Sequence, residues 1–372
     1  MKFTVATKPF SDGLNLAIIN SNITQYYQKS CVTQITAKDT VLRVNVEADG
    51  LRSEVILRGK ADVPGTEASV MVDSVLLKQL VGTFEDAVTT VEFTQGGLIL
   101  HSGKSQFTLP QMLDATELSL AAPVMPVEGQ TVTKAAIKHD DWRFIKDSQL
   151  YAIAMAFIHP VYTYVWVGNN GQVLVGDVDN GVFTQSFKGN LNTTCLLKDT
   201  IINLFDSLPE GAELLHFDNN YIISVVTDGF TLRSQFVPVY EDDEDVGSYN
   251  SEMISGLMAF PDDECVKVSS AALNKFLSQA DLFSRDVEKT IKLDISNNQL
   301  TLKDDYVDCA VKVEGSSEVA FHQVFKTKLL KAALNHFTQD VLKLAPMYQE
   351  DQVVGIIIQS EDLTTVIAGV DE

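Results

Sequence analysis

The chain has 372 residues, with 28 Lys and Arg against 50 Asp and Glu, for a formal net charge of −22. Hydrophobic residues make up 45% and charged residues 21%, a composition that buries a core and excludes a disordered or collagen-like chain. The length suits two or three domains, and the charge taken alone argues against nucleic acid, whose simple binders are basic.

From the start of the chain, Met1 to Lys8 lacks the apolar run of a signal peptide. The four cysteines, Cys31, Cys195, Cys265 and Cys309, are too scattered for zinc or for C-x-x-C chemistry. They read as reduced thiols of a cytoplasmic protein. The longest apolar stretch, 150–158, is about half of a membrane span, so no membrane partner is expected. None of the six histidines stands three or four residues from another, which leaves no metal pair. Gly103-Lys104-Ser105 lacks the upstream glycine of a P-loop, since position 98 is Leu98. Asp177 to Gly181 places its glycine one residue early for a calcium loop. There is no G-x-S-x-G. No catalytic residue, metal or cofactor is expected.

The chain does repeat itself. Pro-rich 121–126 and the acidic run Glu241 to Asp245 divide it into 1–126, 127–245 and 246–372, of similar length. Each third opens on an amphipathic helix, expected over 9–20, 139–155 and 269–284. Alternating strands follow, such as Val41 to Val46, Tyr164 to Val167 and Ile291 to Ile295, separated by turn signals such as Asp49-Gly50 and Asn297-Asn298. A second helix is expected over 72–84, 197–208 and 322–338, and each third closes on strands. Three repeated α+β domains result; a period near a third of the chain is too long for a solenoid.

The last third then resembles a known family. Val266-Lys267-Val268, Ala272-Leu273, Leu282-Phe283-Ser284, Leu300-Thr301-Leu302, Phe321-His322 and Lys328 to Leu334 are similar to the third domain of the bacterial DNA polymerase III beta subunit, the β sliding clamp. Met1-Lys2-Phe3 and Ser105 to Leu109 resemble its first domain. A bacteriophage-encoded member fits as well as a bacterial one. The resemblance implies an α+β fold of three clamp domains, two helices packed on antiparallel sheets in each, closing as a six-domain ring in a head-to-tail homodimer. It implies a non-enzymatic processivity factor that encircles double-stranded DNA and tethers the replicative polymerase. The partners implied are DNA, that polymerase, a clamp loader and other proteins with clamp-binding motifs.

Charge partition answers the objection from net charge. The six expected helices carry eight basic and eight acidic residues, so all of the excess negative charge lies outside them. Lys78, Arg143, Lys146, Lys198, Lys275, Lys328 and Lys331 are the expected DNA-facing residues; of these Lys78, Lys275, Lys328 and Lys331 fall off the apolar stripe, where basic side chains can face a bore. The resemblance places Phe107 and Leu109 on one side of the subunit interface and Leu282 and Phe283 on the other. It places a peptide pocket at Gly181, Val182, Phe183, Pro238, Val239, Val366 and Ile367. The chain ends in acidic Asp371-Glu372, where the family has an apolar Met-Pro end. The competing reading is a non-enzymatic structural or adhesion protein of three β-rich domains.

Overall fold

The computed structural model describes residues 1–19, 32–48, 50–112, 120–153, 164–177, 181–187, 189, 191, 194–236, 251–282, 289–304, 308–315, 320–350, 352–361 and 363–370. The first third holds β1 (Lys2–Ala6), α1 (Thr7–Ala17), β2 (Val32–Lys38), β3 (Val41–Ala48), β4 (Leu51–Ala61), β5 (Glu67–Asp73), α2 (Ser74–Gly82), β6 (Val88–Thr94), β7 (Gly97–Ser102) and β8 (Ser105–Pro110). The middle third holds β9 (Thr133–Ala136), α3 (His139–Ile153), β10 (Tyr164–Val167), β11 (Val173–Asp177), β12 (Val182–Ser186), β13 (Cys195–Lys198), α4 (Asp199–Ser207), β14 (Glu213–Phe217), β15 (Asn220–Val226) and β16 (Phe230–Phe236). The last third begins with α5 (Ser251–Leu257). It continues through β17 (Val266–Ser269), α6 (Ser270–Leu282), β18 (Thr290–Ser296), β19 (Gln299–Lys303), β20 (Asp308–Lys312), β21 (Glu314–Gly315), β22 (Phe321–Lys326), α7 (Thr327–Leu334), β23 (Val341–Gln349), β24 (Gln352–Gln359) and β25 (Leu363–Ala368).

Among the described residues, apart from α5, β21 and one 3-10 turn, each third therefore runs strand, helix, four strands, helix, three strands. The pairing repeats too. The strand before each helix crosses to the other half of its third: β1 pairs β6 and β5 pairs β2, β9 pairs β14 and β13 pairs β10, β17 pairs β23 and β22 pairs β18. Every pairing is antiparallel, and the strands alternate as one-sided burial requires. In β2, Thr33, Ile35 and Ala37 are buried while their neighbours are not.

Three expected helices lose two or more residues to this ladder, the one over 72–84 giving Val72 and Asp73 to β5. Residues 321–326 and 195–198 pair along their length with β18 and β10, so the other two helices start only at Thr327 and Asp199. The helical spacing of Leu330, Ala333 and Leu334 was read too far back, because a strand running directly into a helix leaves no break in hydrophobicity. The helix α5 was not expected at all.

Packing groups the residues into two compact units, Met1–Asp140 with Asp199–Pro238, and Asp141–Lys198 with Val239–Glu372. The first is organised on a 12-stranded sheet, in which β4 of the first third pairs β16 of the middle third. The second has a nine-stranded sheet, in which β12 pairs β25, and a four-stranded sheet, β20-β19-β18-β22. In the second unit α6 and α7 bury Leu273, Leu277, Leu330 and Leu334 in one core with Val182, Ile356 and Ile367 of the sheet, each large side chain contributing about 2 kcal/mol. Among the described residues no helix is long and apolar enough to cross a membrane.

Candidate functional site

The expected DNA-facing residues differ in exposure and in placement. On α6, Lys275 is exposed; on α7, Lys328 and Lys331 are half-buried, and on α3 Arg143 is exposed and Lys146 half-buried. The helix α7 contains no acidic residue, and its N-cap, Lys326, makes no side-chain capping bond. Cations at a helix N-terminus oppose the macrodipole by about 0.3–1 kcal/mol each. Lys328 stands in the first turn of α7, and an anion alongside would offset that cost.

Two of the expected DNA-facing lysines are engaged elsewhere. Lys78 donates to the Ile18 carbonyl at 2.7 Å, at the C-terminal end of α1, where carbonyls lack helical partners. Burial pushes its pKa down; it is a helix-end clasp rather than a free surface charge. Lys198 ends β13 instead of opening a helix, and its ammonium sits 5.9 Å from the Tyr164 ring centroid. Tyr164 lies on the sheet face opposite the one that α6 and α7 cover. In compensation α1 begins at Thr7, earlier than expected, and carries an exposed Lys8. Pro9 in its first turn was the available signal for that start.

The expected interface residues also separate. The strand β8 lies at one edge of the 12-stranded sheet, and Phe107 on it is half-buried, stacked on Phe84 with centroids 5.4 Å apart. Leu109 is 0% exposed. It belongs to its own core, because strand alternation turns it inward in the register that pairs it with Leu98. Leu282, at the end of α6, is 81% exposed. Phe283 lies outside the described residues.

The β12–β25 pairing brings five of the seven expected pocket residues together, with Val182 opposite Ile367 and Phe183 opposite Val366. Gly181 enters this strand at φ +60°, and a Cβ there would stand 2.4 Å from the Ala368 Cβ; its carbonyl accepts from the Ala368 N–H at 2.8 Å. Alternation then divides the set. Val182 and Ile367 point into the α6–α7 core, whereas Phe183 and Val366 lie on the other face with Tyr164, Leu174, Leu196 and Ile357. Val182 and Ile367 thus cannot line a peptide pocket on that face. Pro238 and Val239 lie outside the described residues. The Phe183–Val366 patch is closed by Ile254 and Met258 from α5 and the residue beyond it, which the sequence reading missed.

No protein-family model and no curated protein matches this chain. Solved structures do. The DNA polymerase III beta subunit of Thermotoga maritima superposes with a TM-score of 0.73 at 15% identity, over 100% of this chain and 99% of that one. A putative beta subunit from Eubacterium rectale gives 0.74 at 14%, covering 100% of both chains. The Helicobacter pylori beta clamp, solved bound to a DNA ligase peptide, gives 0.67 at 13%, again covering 100% of both. The expected fold is thereby confirmed across the chain: this chain has the fold of the DNA polymerase III beta subunit.

Proposed function

We propose that this protein is a DNA sliding clamp, a non-catalytic ring that encircles duplex DNA and tethers a replicative polymerase. The observation that carries the reading is full-length structural likeness to DNA polymerase III beta subunits. In this reading the three thirds, divided near 126 and 245, are the three clamp domains.

The repeat supports ring closure by its own logic. At each internal joint, the third strand of the four-strand run in one third pairs the last strand of the next: β4 with β16, and β12 with β25. Two strands of these types are left at sheet edges, β8 in the first third and β20 in the last. Pairing β20 of one copy with β8 of another satisfies both edges and closes a head-to-tail dimer of about 82 kDa, twice the chain mass of 40.9 kDa. Phe107 and Leu282 flank that junction. Lys275, Lys328 and Lys331, with Arg143 and Lys146, supply weak, interchangeable phosphate contacts that allow sliding. Tethering turns polymerase rebinding into an intramolecular event. Partners, among them the polymerase, a clamp loader and DNA-processing enzymes such as the ligase whose peptide the Helicobacter pylori clamp binds, dock short apolar-anchored peptides.

The test is topological. Loaded protein is expected to stay on a nicked circle and to be lost when the circle is linearised; equal retention on both forms would refute the clamp. The K275E/K328E/K331E variant is expected to remain dimeric and yet shorten primer-extension products several-fold, with a shallower salt dependence.

A further inference from the structure

The Phe183–Val366 patch is covered by the chain itself, and the cover is poorly built as a permanent structural element. The helix α5 has seven residues, well below the roughly 12–15 that a helix needs to persist without tertiary support. Its sequence, Ser251-Glu252-Met253-Ile254-Ser255-Gly256-Leu257, places a glycine in the last turn, which weakens a helix relative to alanine. Packing does not ask for that glycine: a Cβ at Gly256 would meet nothing within 4 Å.

The segment is held by the anchors Ile254 and Met258, by Phe260 packed beside them, and by a side-chain bond. Ile254 and Met258 are 2% and 5% exposed, one helical turn apart, and they fill the apolar patch of Phe183, Val366 and Leu174. The Gln172 amide donates to the Ser255 hydroxyl at 3.2 Å. Leu257, on the same short helix, remains exposed, so the segment keeps an apolar side chain outside the patch. Further along, Phe260 lies under the Lys343 ammonium, which also pairs with Asp262 at 2.6 Å on the surface. Closely spaced apolar anchors on a short helix with an unneeded glycine are the features by which an isolated peptide would occupy the same patch.

We infer that residues 251–260 form a displaceable strap, an internal pseudo-ligand that occupies the partner-peptide site and must yield before a partner's anchors enter. The inference rests on the proposed clamp reading for the existence of such partners. The strap lowers apparent affinity by the fraction of time the site is open, so loosening it tightens partner binding and tightening it does the reverse. Because Gly256 has free space, Gly256→Ala stiffens the strap without altering its contacts.

The experiment uses the full-length protein and a fluorescein-labelled extended hexapeptide bearing Leu and Phe two positions apart, with a flanking lysine. Ile254→Ala is expected to tighten its binding on the order of tenfold and Gln172→Ala by a smaller factor, whereas Gly256→Ala weakens it. An unlabelled peptide of sequence 251–260 is expected to compete for the Ile254→Ala protein. Weaker or unchanged binding in Ile254→Ala, with Gln172→Ala moving the same way, would make the segment a wall of the site or a plain linker and overturn the strap. Absence of hexapeptide binding to any variant, with retention on nicked circles intact, would overturn the strap and leave the clamp reading standing. Loss of topological retention with the opposed effects of Ile254→Ala and Gly256→Ala preserved would do the converse.

Discussion

The two internal joints perform the same backbone task with different side chains. Both carry a cross-strand hydroxyl pair, Ser53 with Ser234 at 2.8 Å and Thr184 with Thr365 at 3.2 Å, and each pair spans 181 residues of sequence. This common register makes the remaining positions comparable one by one. Leu51 opposite Phe236 corresponds to Val182 opposite Ile367, and all four are buried. One step along, on the opposite face, the first joint has Arg52 opposite Gln235, and the second has Phe183 opposite Val366. Two steps further the first joint buries Glu54 between Arg43 at 2.6 Å and Arg233 at 3.5 Å, where the second has Gln185 opposite Thr364.

The segments that cross the two joints differ in kind as well. At the first, the Val124 N–H donates to the Gln235 side chain at 3.0 Å, a polar clasp by an extended backbone. At the second, a helix inserts Ile254 and Met258 against Phe183 and Val366. A joint needs only a ladder and a sealed face, and the first shows that charge and amides suffice. The apolar patch of the second is therefore surplus to joining, which is the physical case for reading it as a place where something binds.

The largest effect expected tests the proposed joint between two copies, β20 with β8. Leu282→Asp puts a charge on a side chain that has no internal packing role, so it is expected to convert dimer to monomer in sedimentation with little change in thermal midpoint. Leu109→Asp, by contrast, is expected to unfold the first unit, since an unpaired carboxylate would enter its core. A dimeric Leu282→Asp protein would remove the end of α6 from the interface.

Next comes a transplant that makes the second joint resemble the first. F183R/V366Q installs the side chains of Arg52 and Gln235 at the corresponding positions. It is expected to cost roughly 3 kcal/mol in the second unit and to abolish peptide binding, while dimerisation survives. Retained peptide affinity in this variant would place the docking site away from the joint. In the first joint, Glu54→Ala leaves Arg43 and Arg233 without their shared carboxylate. Both arginines keep partial solvent access, so a loss of about 2 kcal/mol in denaturant unfolding is expected. Gln185→Ala at the corresponding position of the second joint is expected to cost about 1 kcal/mol or less.

How far the sequence revealed this depends on the kind of signal. The repeat was legible because alternation and turn residues recur in each third, and Leu273, Leu277 and Ala280 mark α6 by spacing alone. The joints were not legible, since pairings 181 residues apart leave no local pattern. The facing of side chains was lost for the same reason. Adjacent apolar residues such as Val182 and Phe183 read as one patch until the register sends them to opposite faces. Lys78 and Lys198 read as DNA-facing charges because local sequence shows neither the carbonyl of Ile18 nor the ring of Tyr164. The helix α5 escaped because a seven-residue segment with an internal glycine carries too little periodicity to be seen.

The smallest effects expected decide whether the two joints are equivalent at all. Ser53, Ser234, Thr184 and Thr365 are each at most 2% exposed, so a hydroxyl that loses its partner has no water to turn to. Removing one member should cost the desolvation of the survivor, about 1–2 kcal/mol, whereas replacing both by apolar groups of similar shape should recover most of it. Thr184→Val is therefore expected to destabilise the second unit by about 1–2 kcal/mol, and T184V/T365V by well under 1 kcal/mol. Ser53→Ala and S53A/S234A should give the same pattern in the first unit, with a small extra loss for the missing methylene-sized volume. The readout is a double-mutant cycle by denaturant unfolding, which isolates the pair from the strands that carry it. Equal coupling energies in the two cycles would establish the hydroxyl pair as the common fastener of the repeat, leaving Glu54 and Phe183 as what distinguishes the joints. Coupling in one cycle and none in the other would mean that the shared register hides two unrelated solutions, and the position-by-position comparison of Arg52 with Phe183 would lose its footing.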